Sequence, residues 1–591
     1  MQETQFVDHS EDIERRTKVK FDPAVHSVQE LKSKKFKFQF EQLLMEGKPA
    51  PMVVCKVEEC RAILNWNGTS MRYHAKLHGS TANGAGEMFD DSLLKFIACS
   101  SQSINVVVDK SFLQLLKAFK NTVIEDFKNG IGKQAEDYLP SANTMVKRLN
   151  SSLVDAAQQI GCLVKNLKSA GGGLTMDFAK NKVDYMAVTA HFINDQWKKI
   201  DFVLVFTLLP PGMKKTSAHV QELFMEELAK FGISEVDMAK LLVTTDEGSN
   251  VSGIGGYNHL PCICHLGSTI GKRTTTLFKN SALSEEHKVA CRTIEEELKK
   301  LEKVVNQLRQ NEVICKMASQ ALKSPVQTRW MSYYNMVEAL LKHRNQLLAA
   351  KNYIKVLKPV ADMVLDLQGE KLPSTNKVIG HVATIWLELK YLMEPFDGNS
   401  LFGVALANAA MEAFERNIGN LNDSNWVNSF SGRVNKKVIA CSAFLDPFEH
   451  GQLKSIGELV PGINYNEIEK MVKREARFLC SDVLESPPAK RSAKFPLIQV
   501  SQVEKELHGY MSLPICEDED LLTFWSNNEK YFPHLAALAR NFLAVQASSA
   551  SSKRAFKELR SIMGDFTRNR LDSKKVAALI HLRILYLKEI S

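Results

Sequence analysis

Strand-like and helix-like patterns of apolar positions alternate between residues 171 and 265. Three β-branched and aromatic runs, GGGLTMDFAK, VDYMAVTAHFIN and WKKIDFVLVFTLLP, lie close together and predict an antiparallel meander. The amphipathic pattern of SAHVQELFMEELAKFGI predicts a helix after them. LLVTTDEGSN then predicts a buried strand that ends on Asp246, and HLPCICHLG predicts a fifth short strand that enters a helix.

The order of these elements, β-β-β-α-β-α-β, is that of ribonuclease-H-like folds, so we expect a core of that kind. Asp177 lies on the first strand and Asp246 at the end of the fourth. Adjacent strands would bring the two carboxylates to one edge, where paired carboxylates hold Mg²⁺. Two metal ions can then activate water and stabilise a leaving oxygen. Taken singly, each aspartate is more often an ordinary turn or strand-end acid.

Cys262, Cys264 and His265 follow this core sequence directly. One interpretation is a contact to metal or phosphate, and the other is packing that orients the site. Two cysteines and one histidine are too few for a closed zinc site without a ligand from elsewhere. We therefore favour packing for Cys262 and His265.

From about residue 271 to 500 the apolar pattern is mainly helical. Arg329 and Trp330 are adjacent in this stretch. A tryptophan can stack on a base and an arginine can clamp a phosphate, which would make the pair a DNA contact. A tryptophan buried in the core is the commoner case, and that alternative stays open.

A small metal module is predicted near the N-terminus. Cys55 and Cys60 have four residues between them, His74 and His78 have three, and thirteen residues separate the two pairs. Two histidines at i and i+4 share one helix face, and two cysteines on a turn supply the other half of a tetrahedron. The spacing predicts a Cys₂His₂ zinc site whose metal contributes folding energy, and the alternative is four unrelated residues.

Composition narrows the class of partner. The 591 residues carry a net charge of +9, and the basic residues gather at residues 31–78 and 551–590. Basic ends on a nearly neutral body favour a nucleic-acid partner. No apolar run approaches a membrane span, so we expect no membrane partner and an intracellular chain whose eleven cysteines are thiols or ligands. KSKK at 32–35 and PPAKRSAK at 487–494 are either nuclear-import signals or solvated charge runs.

Several motifs resemble known families. KFKFQFEQL before the cysteines resembles the BED-type zinc finger, a DNA-binding module of chromatin proteins and transposases. FWSNNEKYFPHLAALARNFLAVQASSASSKRAF resembles the C-terminal dimerisation signature of hAT-family transposases, which ends in S-E-R-x-F. Further blocks match that family in order from residue 31 onward, namely VVVDKSF, LPSANT, LTMDF, VTAHFIN, TTDEGSN, CICH, TRW and LDP.

The resemblance to hAT transposases implies roles for residues already singled out. It implies a ribonuclease-H-like core split by a helical insertion. The carried-over roles are metal ligands for Asp177 and Asp246, the CxxH motif for Cys262 and His265, and the pair near the DNA hairpin for Arg329 and Trp330.

The third acid of the family, the glutamate of S-E-R-x-F, falls on Lys553. A protonated ammonium cannot ligate Mg²⁺ and repels it. Glu558 is the nearest acid, but it lies about 140° further round a helix and cannot take the same place. We therefore consider that Lys553 sits between Asp177 and Asp246 and offsets their mutual repulsion.

These observations predict a multidomain α/β protein with a zinc finger, then a ribonuclease-H-like core interrupted by a large all-α insertion. The expected segments are a flexible tail (1–30), a BED-type zinc finger (31–80), a helical DNA-binding or linker region (81–165), the first part of the core (166–270), the helical insertion (271–500), and the end of the core with the dimerisation region (501–591).

For function, we expect a nuclear, homodimeric, regulatory protein that binds double-stranded DNA and carries Zn²⁺. We expect it not to be an enzyme, because Lys553 replaces the third acid. The alternative is an active hAT transposase that uses Mg²⁺ for strand cleavage and transfer. A third hypothesis is a protein-interaction scaffold that has lost DNA binding.

Overall fold

The structure is a computed structural model with two compact units, Met1–Ala135 and Glu136–Ser591. The chain is mixed α/β and mostly helical, with two separate sheets. Among the helices described, none combines the length and apolar character needed to cross a membrane. The residues that the structure describes are 21–24, 26–32, 36, 39–45, 47–58, 60–77, 89–97, 103–181, 183–251, 254, 256–276, 282–308, 330–343, 347–369, 372–394, 400–480, 501–514, 519–563, 579–580 and 582–583.

The first unit contains a four-stranded antiparallel sheet in the order β1-β2-β3-β4. Gly47, at a φ of +74°, makes the turn between the second and third strands, a conformation that favours glycine. One helix, α1 (Gly68–Leu77), follows the sheet, and the Asn67 side chain caps it by accepting a hydrogen bond from the Thr69 N–H at 2.8 Å. The strands are β1 (Ser27–Glu30), β2 (Phe40–Met45), β3 (Lys48–Cys55) and β4 (Ile63–Asn65).

The predicted tail over residues 1–30 is wrong for its last residues. Strand β1 lies inside that range and pairs with β2 from Ser27↔Leu44 to Glu30↔Glu41. The guanidinium of Arg61 also covers the Phe21 ring at 4.4 Å. Four residues have too little apolar pattern to reveal a strand, because the strand depends on a partner further along the chain. Residues 1–20 lie outside the described residues.

A later helix of this unit, α2 (Lys110–Lys128), contains the apolar stripe of FLQLLKAF. Asp109 caps it by accepting hydrogen bonds from the backbone of Ser111 and Phe112. The sequence favours this stripe as core, but none of the described residues of the helix is buried. The Phe112 ring stacks on Phe96 at 6.1 Å, and Leu113 and Leu115 are exposed. The apolar stripe of α2 therefore lies largely exposed on the first unit.

The second unit is built on a five-stranded sheet in the order β7-β6-β5-β8-β9. The first three strands in sequence are antiparallel neighbours, while β8 lies parallel to β5 and β9 parallel to β8. All five predicted strands are present. Their bounds are β5 (Gly172–Asn181), β6 (Val183–Ile193), β7 (Lys199–Leu208), β8 (Leu241–Thr245) and β9 (His259–Pro261).

Helices cover both faces of this sheet and form a large body beside it. The predicted helical character of residues 271–500 is confirmed for its described part. The helices of this unit are α3 (Ala142–Ala170), α4 (Ser217–Ala229), α5 (Glu235–Met238), α6 (Ile263–Thr274), α7 (Glu285–Leu308), α8 (Trp330–His343), α9 (Leu348–Asp366), α10 (Val378–Met393), α11 (Leu401–Ile418), α12 (Lys436–Phe444), α13 (Pro447–Leu459), α14 (Tyr465–Cys480), α15 (Gln502–Met511), α16 (Leu521–Asn528), α17 (Pro533–Ala544) and α18 (Ala550–Met563).

Side chains of the sheet alternate between two apolar layers, as the period of two in a strand requires. On β6, Met186 and Val188 pack with residues of α3 and α4. Tyr185 and Ala187 point to the other face and pack with Phe556 of α18. Burial on both faces explains why β6 reads as a nearly continuous apolar run.

Two of the predicted segment boundaries fall inside helices. The boundary at residues 165 and 166 divides α3, whose Ile160, Val164 and Leu167 all pack in the sheet's apolar core. The boundary at residues 270 and 271 divides α6. The core of the second unit therefore begins earlier than predicted. Buried residues of α6 share one apolar cluster with Leu242 and Leu260 of the sheet and with the later helices, so the core continues directly into the helical body.

Candidate active site and candidate metal centre

The register of β5 and β8 places the two predicted acids at the same level. The parallel ladder runs from Gly172↔Leu241 to Thr175↔Thr244. Asp177 and Asp246 each come two residues after the last of these pairs. Because side chains alternate along a strand, both carboxylates point to the same side as the paired threonines. That side is the face on which α18 packs.

Lys553 on α18 lies between the two acids. Its Nζ is 3.0 Å from Asp246 Oδ1 and 3.9 Å from Asp177 Oδ2. The Phe556 ring anchors the same helix on the sheet, 5.6 Å from the Phe206 ring. This is the arrangement that the sequence analysis considered for Lys553, so the lysine acts as the local counter-ion of the acids.

The electrostatics of the acids reflect burial and crowding. The Asp177 side chain is only 13% exposed. Burial and then the nearby charge of Asp246 raise the pKa of Asp177 to about 7, against the opposing effects of Lys553 and of the Phe178 N–H. Burial by itself lowers the pKa of Lys553, but the neighbouring acids, Asp246 foremost, raise it above its usual value. The lysine is therefore a charged ammonium.

The serine-rich turn before α18 binds the end of β8. Ser549 Oγ donates to Asp246 Oδ1 at 2.9 Å, and the Ser549 N–H donates to Cys262 Sγ at 3.3 Å. Cys262 and Cys264 are both buried, and the Cys264 thiol donates to the Val364 carbonyl at 3.6 Å. These contacts are those of packing side chains that hold the turn in place.

His265 faces the open side of the acids. Its Nδ1 lies 3.7 Å from Asp246 Oδ1. An open cleft of about 270 Å³ is lined by His265 together with both acids and residues of the loop after β8, among them Gly248 and Asn250. The site is therefore accessible to a ligand from the side of His265.

The predicted DNA contacts are placed differently. Arg329 lies outside the described residues. Trp330 is only 8% exposed, and its indole N–H donates to Tyr353 Oη at 2.9 Å. A Cβ atom added at Gly271 would lie 2.1 Å from the indole, which shows how closely the ring packs. The ring therefore lies in the helical core, which is the commoner case that the sequence left open, and a role of Trp330 in DNA binding stays an untested prediction.

A polar network beside the acids was missed in the sequence. The buried His191 on β6 lies with its Nδ1 2.5 Å from Asp201 Oδ1, and its Nε2 is 3.3 Å from Thr175 Oγ1. Lys199 Nζ donates to Asp201 at 2.8 Å. The signal was a single histidine within the apolar run VTAHFIN, where a buried polar side chain requires partners.

Three of the four predicted zinc ligands converge in the first unit. Cys55 ends β3, Cys60 lies in the turn after it, and His74 lies on α1. One donor atom from each lies within 4.8 Å of the other two, and Cys60 Sγ is 3.3 Å from His74 Nε2. Burial raises the pKa of Cys55 to about 11, so the thiolate needed for binding depends on a metal ion to stabilise it. His78 lies outside the described residues.

The two ligand sets suit different ions. Two thiols and an imidazole at this separation are compatible with zinc. The carboxylates of Asp177 and Asp246 are ligands of the kind that Mg²⁺ prefers, although the ammonium of Lys553 already lies against them.

Comparison with known families adds two matches. Residues 506–584 match the hAT family C-terminal dimerisation region. Residues 158–246 match a domain of unknown function (DUF8247), a range that begins within α3 and ends on Asp246.

Comparison with curated proteins finds two relatives in Zea mays. The chain is 23% identical over 475 residues to "Putative AC transposase", and the match covers 69% of this chain and 55% of the relative. It is 22% identical over 499 residues to "Putative AC9 transposase", and this match covers 69% of this chain and 56% of the relative. The chain thus spans about half the length of the curated relatives it matches. Together with the C-terminal match, these relatives identify a protein related to hAT-family transposases.

The expectation that the protein is not an enzyme is contradicted by these comparisons. Both relatives are named transposases, and transposases are enzymes. Lys553 at the place of an acid is a real difference from the family motif, but it does not show that the chain is inactive.

Proposed function

We propose that the protein is a DNA transposase of the hAT type, which cuts and joins double-stranded DNA at the cleft beside Asp177 and Asp246. The observation that carries this proposal is the placement of the two carboxylates at one level of adjacent parallel strands, facing an open cleft. A single acid at a strand end has many structural explanations. A matched pair at an accessible cleft favours chemistry on a ligand.

The sheet supports a ribonuclease-H-like core. Three antiparallel strands are followed by α4, α5 and two strands parallel to β5, as a core of this kind requires. The helix that the sequence predicted between the fourth and fifth strands is not found among the described residues, where a 3₁₀ turn (Gly256–Asn258) precedes β9. The match at residues 506–584 includes the helix that bears Lys553, the residue that contacts both acids. Fold alone does not define function, and the proposal therefore rests on the acids.

Each residue around the acids has a distinct role in this proposal. Asp177 and Asp246 supply the negative charge that would hold Mg²⁺. When bound there, Mg²⁺ supplies the activation of water and the stabilisation of the leaving oxygen. Ser549 fixes the orientation of the Asp246 carboxylate through its hydrogen bond. His265 lines the entrance, where it can meet a phosphate of the DNA.

The rest of the chain would supply the partners. The C-terminal region would join two copies, and a symmetric dimer is the default for such a surface. The Cys55, Cys60 and His74 cluster would hold zinc in a DNA-binding module, and the protein would act in the nucleus. A role in regulating transcription stays an untested prediction.

The test is strand cleavage on DNA that the protein itself selects. Full-length, zinc-loaded protein is used to enrich duplexes from a random library, and the enriched duplex is incubated with protein and Mg²⁺ or Mn²⁺. We expect enrichment and cleavage by the wild type, and a loss of cleavage of about a thousandfold or more in Asp177→Asn and Asp246→Asn.

A matched control is Asp362→Asn, which removes a carboxylate that pairs with Lys358 on the exposed side of α9. This variant should cleave like the wild type. The proposed function would be overturned if Asp177→Asn and Asp246→Asn cleaved DNA as fast as the wild type, or if the protein enriched no duplex at all.

A further inference from the structure

A positive charge of the protein itself lies where a metal ion held by Asp177 and Asp246 would bind. The Lys553 ammonium donates to Asp246 Oδ1 at 3.0 Å and lies 3.9 Å from Asp177 Oδ2. It thus contacts both carboxylates whose geometry supports the proposed function. A divalent ion held by the same two oxygens would have to stand where the ammonium stands.

The hydrogen bonds at Asp246 strengthen this conflict. Its Oδ1 accepts from both Lys553 and Ser549, and His265 Nδ1 lies 3.7 Å away. A carboxylate oxygen offers two lone pairs, so two donors use this one fully. A metal ion can bind this oxygen only after one donor leaves. Ser549 is fully buried in the turn, whereas the Lys553 side chain is 46% exposed.

Lys553 is also the donor that can leave at least cost. Its helix is held by other groups, because Phe556 packs on Phe206 and the Lys553 N–H bonds the Ser549 carbonyl at 3.2 Å. The long side chain can therefore rotate its ammonium into solvent while α18 stays in place. Solvent then hydrates the released charge.

We propose that Lys553 is a tethered cation that occupies the Asp177–Asp246 site and competes with divalent metal ions for it. A metal ion held by Asp246 Oδ1 and Asp177 Oδ2 must displace the ammonium, so the site fills with metal only at high metal concentration. This inference rests on the proposed function for the identity of the acids, but it concerns metal binding alone. A tethered competitor acts at millimolar effective concentration or above, and its charge also repels the incoming ion.

The experiment measures Mn²⁺ binding to full-length, zinc-loaded protein by calorimetry and by the electron paramagnetic resonance of free Mn²⁺. Mn²⁺ suits oxygen ligands and competes poorly with zinc for thiols. We expect Lys553→Met to bind Mn²⁺ about tenfold or more tightly than the wild type, because the competing charge is gone. Lys553→Arg keeps that charge and should stay close to the wild type.

Two controls define the site. Lys557→Met removes an exposed lysine one turn further along the same helix, and it should leave Mn²⁺ affinity unchanged. Adding Asp177→Asn and Asp246→Asn to Lys553→Met should abolish the gain. The melting temperature gives an independent readout, since Mn²⁺ should raise it more for Lys553→Met than for the wild type.

The outcomes separate this inference from the proposed function. Equal Mn²⁺ affinity of the wild type and Lys553→Met would overturn the inference, even if the wild type cleaves DNA. No Mn²⁺ binding in either protein would overturn it as well, and would leave Lys553 a structural counter-ion. A gain in Lys553→Met without DNA cleavage by any variant would support the inference and count against the proposed function.

Discussion

The cluster of Cys55, Cys60 and His74 and the pair of Asp177 and Asp246 are both made of metal-ligand side chains, but their surroundings differ. In the cluster, donor atoms from three elements approach within 4.8 Å of one another. In the pair, an ammonium of the protein itself lies against the carboxylates. The first arrangement is compatible with an added zinc ion, and the second is already partly neutralised by Lys553. Ligand type alone therefore does not determine how strongly a site binds metal.

The largest expected effect is at the cysteine–histidine cluster. Removing zinc with a strong chelator, or Cys60→Ser, should unfold the four-stranded sheet and α1, because structural zinc contributes about 10 kcal/mol of apparent folding free energy. Limited proteolysis within residues 21–77 and zinc content measure the effect. The exposed Cys162 provides the control, since Cys162→Ser should retain both zinc and protection.

If residues 21–77 stay protected from proteolysis after chelation, the two sites no longer differ in their need for an added ion. Both sites would then be stable without an added ion, and the cluster would be ordinary packing.

The next effect concerns Asp201, which contacts His191 and Lys199 and is not part of the proposed metal site. Burial opposes the charge of Asp201, but His191 and then Lys199 lower its pKa to about 2. The stabilisation is present above the unfolded pKa near 4 and is lost as pH falls towards 2. Asp201→Asn should therefore cost about 2 kcal/mol at pH 7 and flatten the pH dependence of unfolding between those values.

Urea denaturation at several pH values measures this prediction. Mn²⁺ should not restore the stability of Asp201→Asn, in contrast to Lys553→Met. If Mn²⁺ restored the stability of Asp201→Asn, the Asp201 ion pair and the Asp177–Asp246 site would respond to metal in the same way. The distinction between the two would then be wrong.

A smaller effect is expected at the hydrogen bond that orients Asp246. Ser549→Ala removes a fully buried donor and should lower the free energy of unfolding by about 1–2 kcal/mol. Ser512→Ala removes an exposed hydroxyl that donates to the His508 carbonyl at the C-terminal end of α15, and it should change stability by less than about 0.5 kcal/mol. If Ser549→Ala and Ser512→Ala lowered the melting temperature equally, the hydrogen bond to Asp246 would contribute no more to stability than an exposed hydroxyl.

The strands and the acids could be predicted because their signals are local. Apolar runs identified β5 to β9, and a common position relative to adjacent strands brought Asp177 and Asp246 together. Lys553 could be placed beside them only through the family motif, since 307 residues separate it from Asp246.

Other features depend on partners that no local pattern reveals. Strand β1 exists because β2 pairs with it, and Trp330 is buried because Gly271 leaves room for the ring. The network of His191 and Asp201 crosses two strands, so each residue appears isolated in the sequence. In each case the deciding contact is distant along the chain.

The most direct test of the central claim is anomalous diffraction from crystals of the full chain soaked with Zn²⁺ or with increasing Mn²⁺. We predict zinc at Cys55, Cys60 and His74 at low concentration. Mn²⁺ should appear between Asp177 and Asp246 only at high concentration, with the Lys553 side chain turned away from both. Mn²⁺ bound there at low concentration, with the Lys553 ammonium still 3.0 Å from Asp246, would contradict the account.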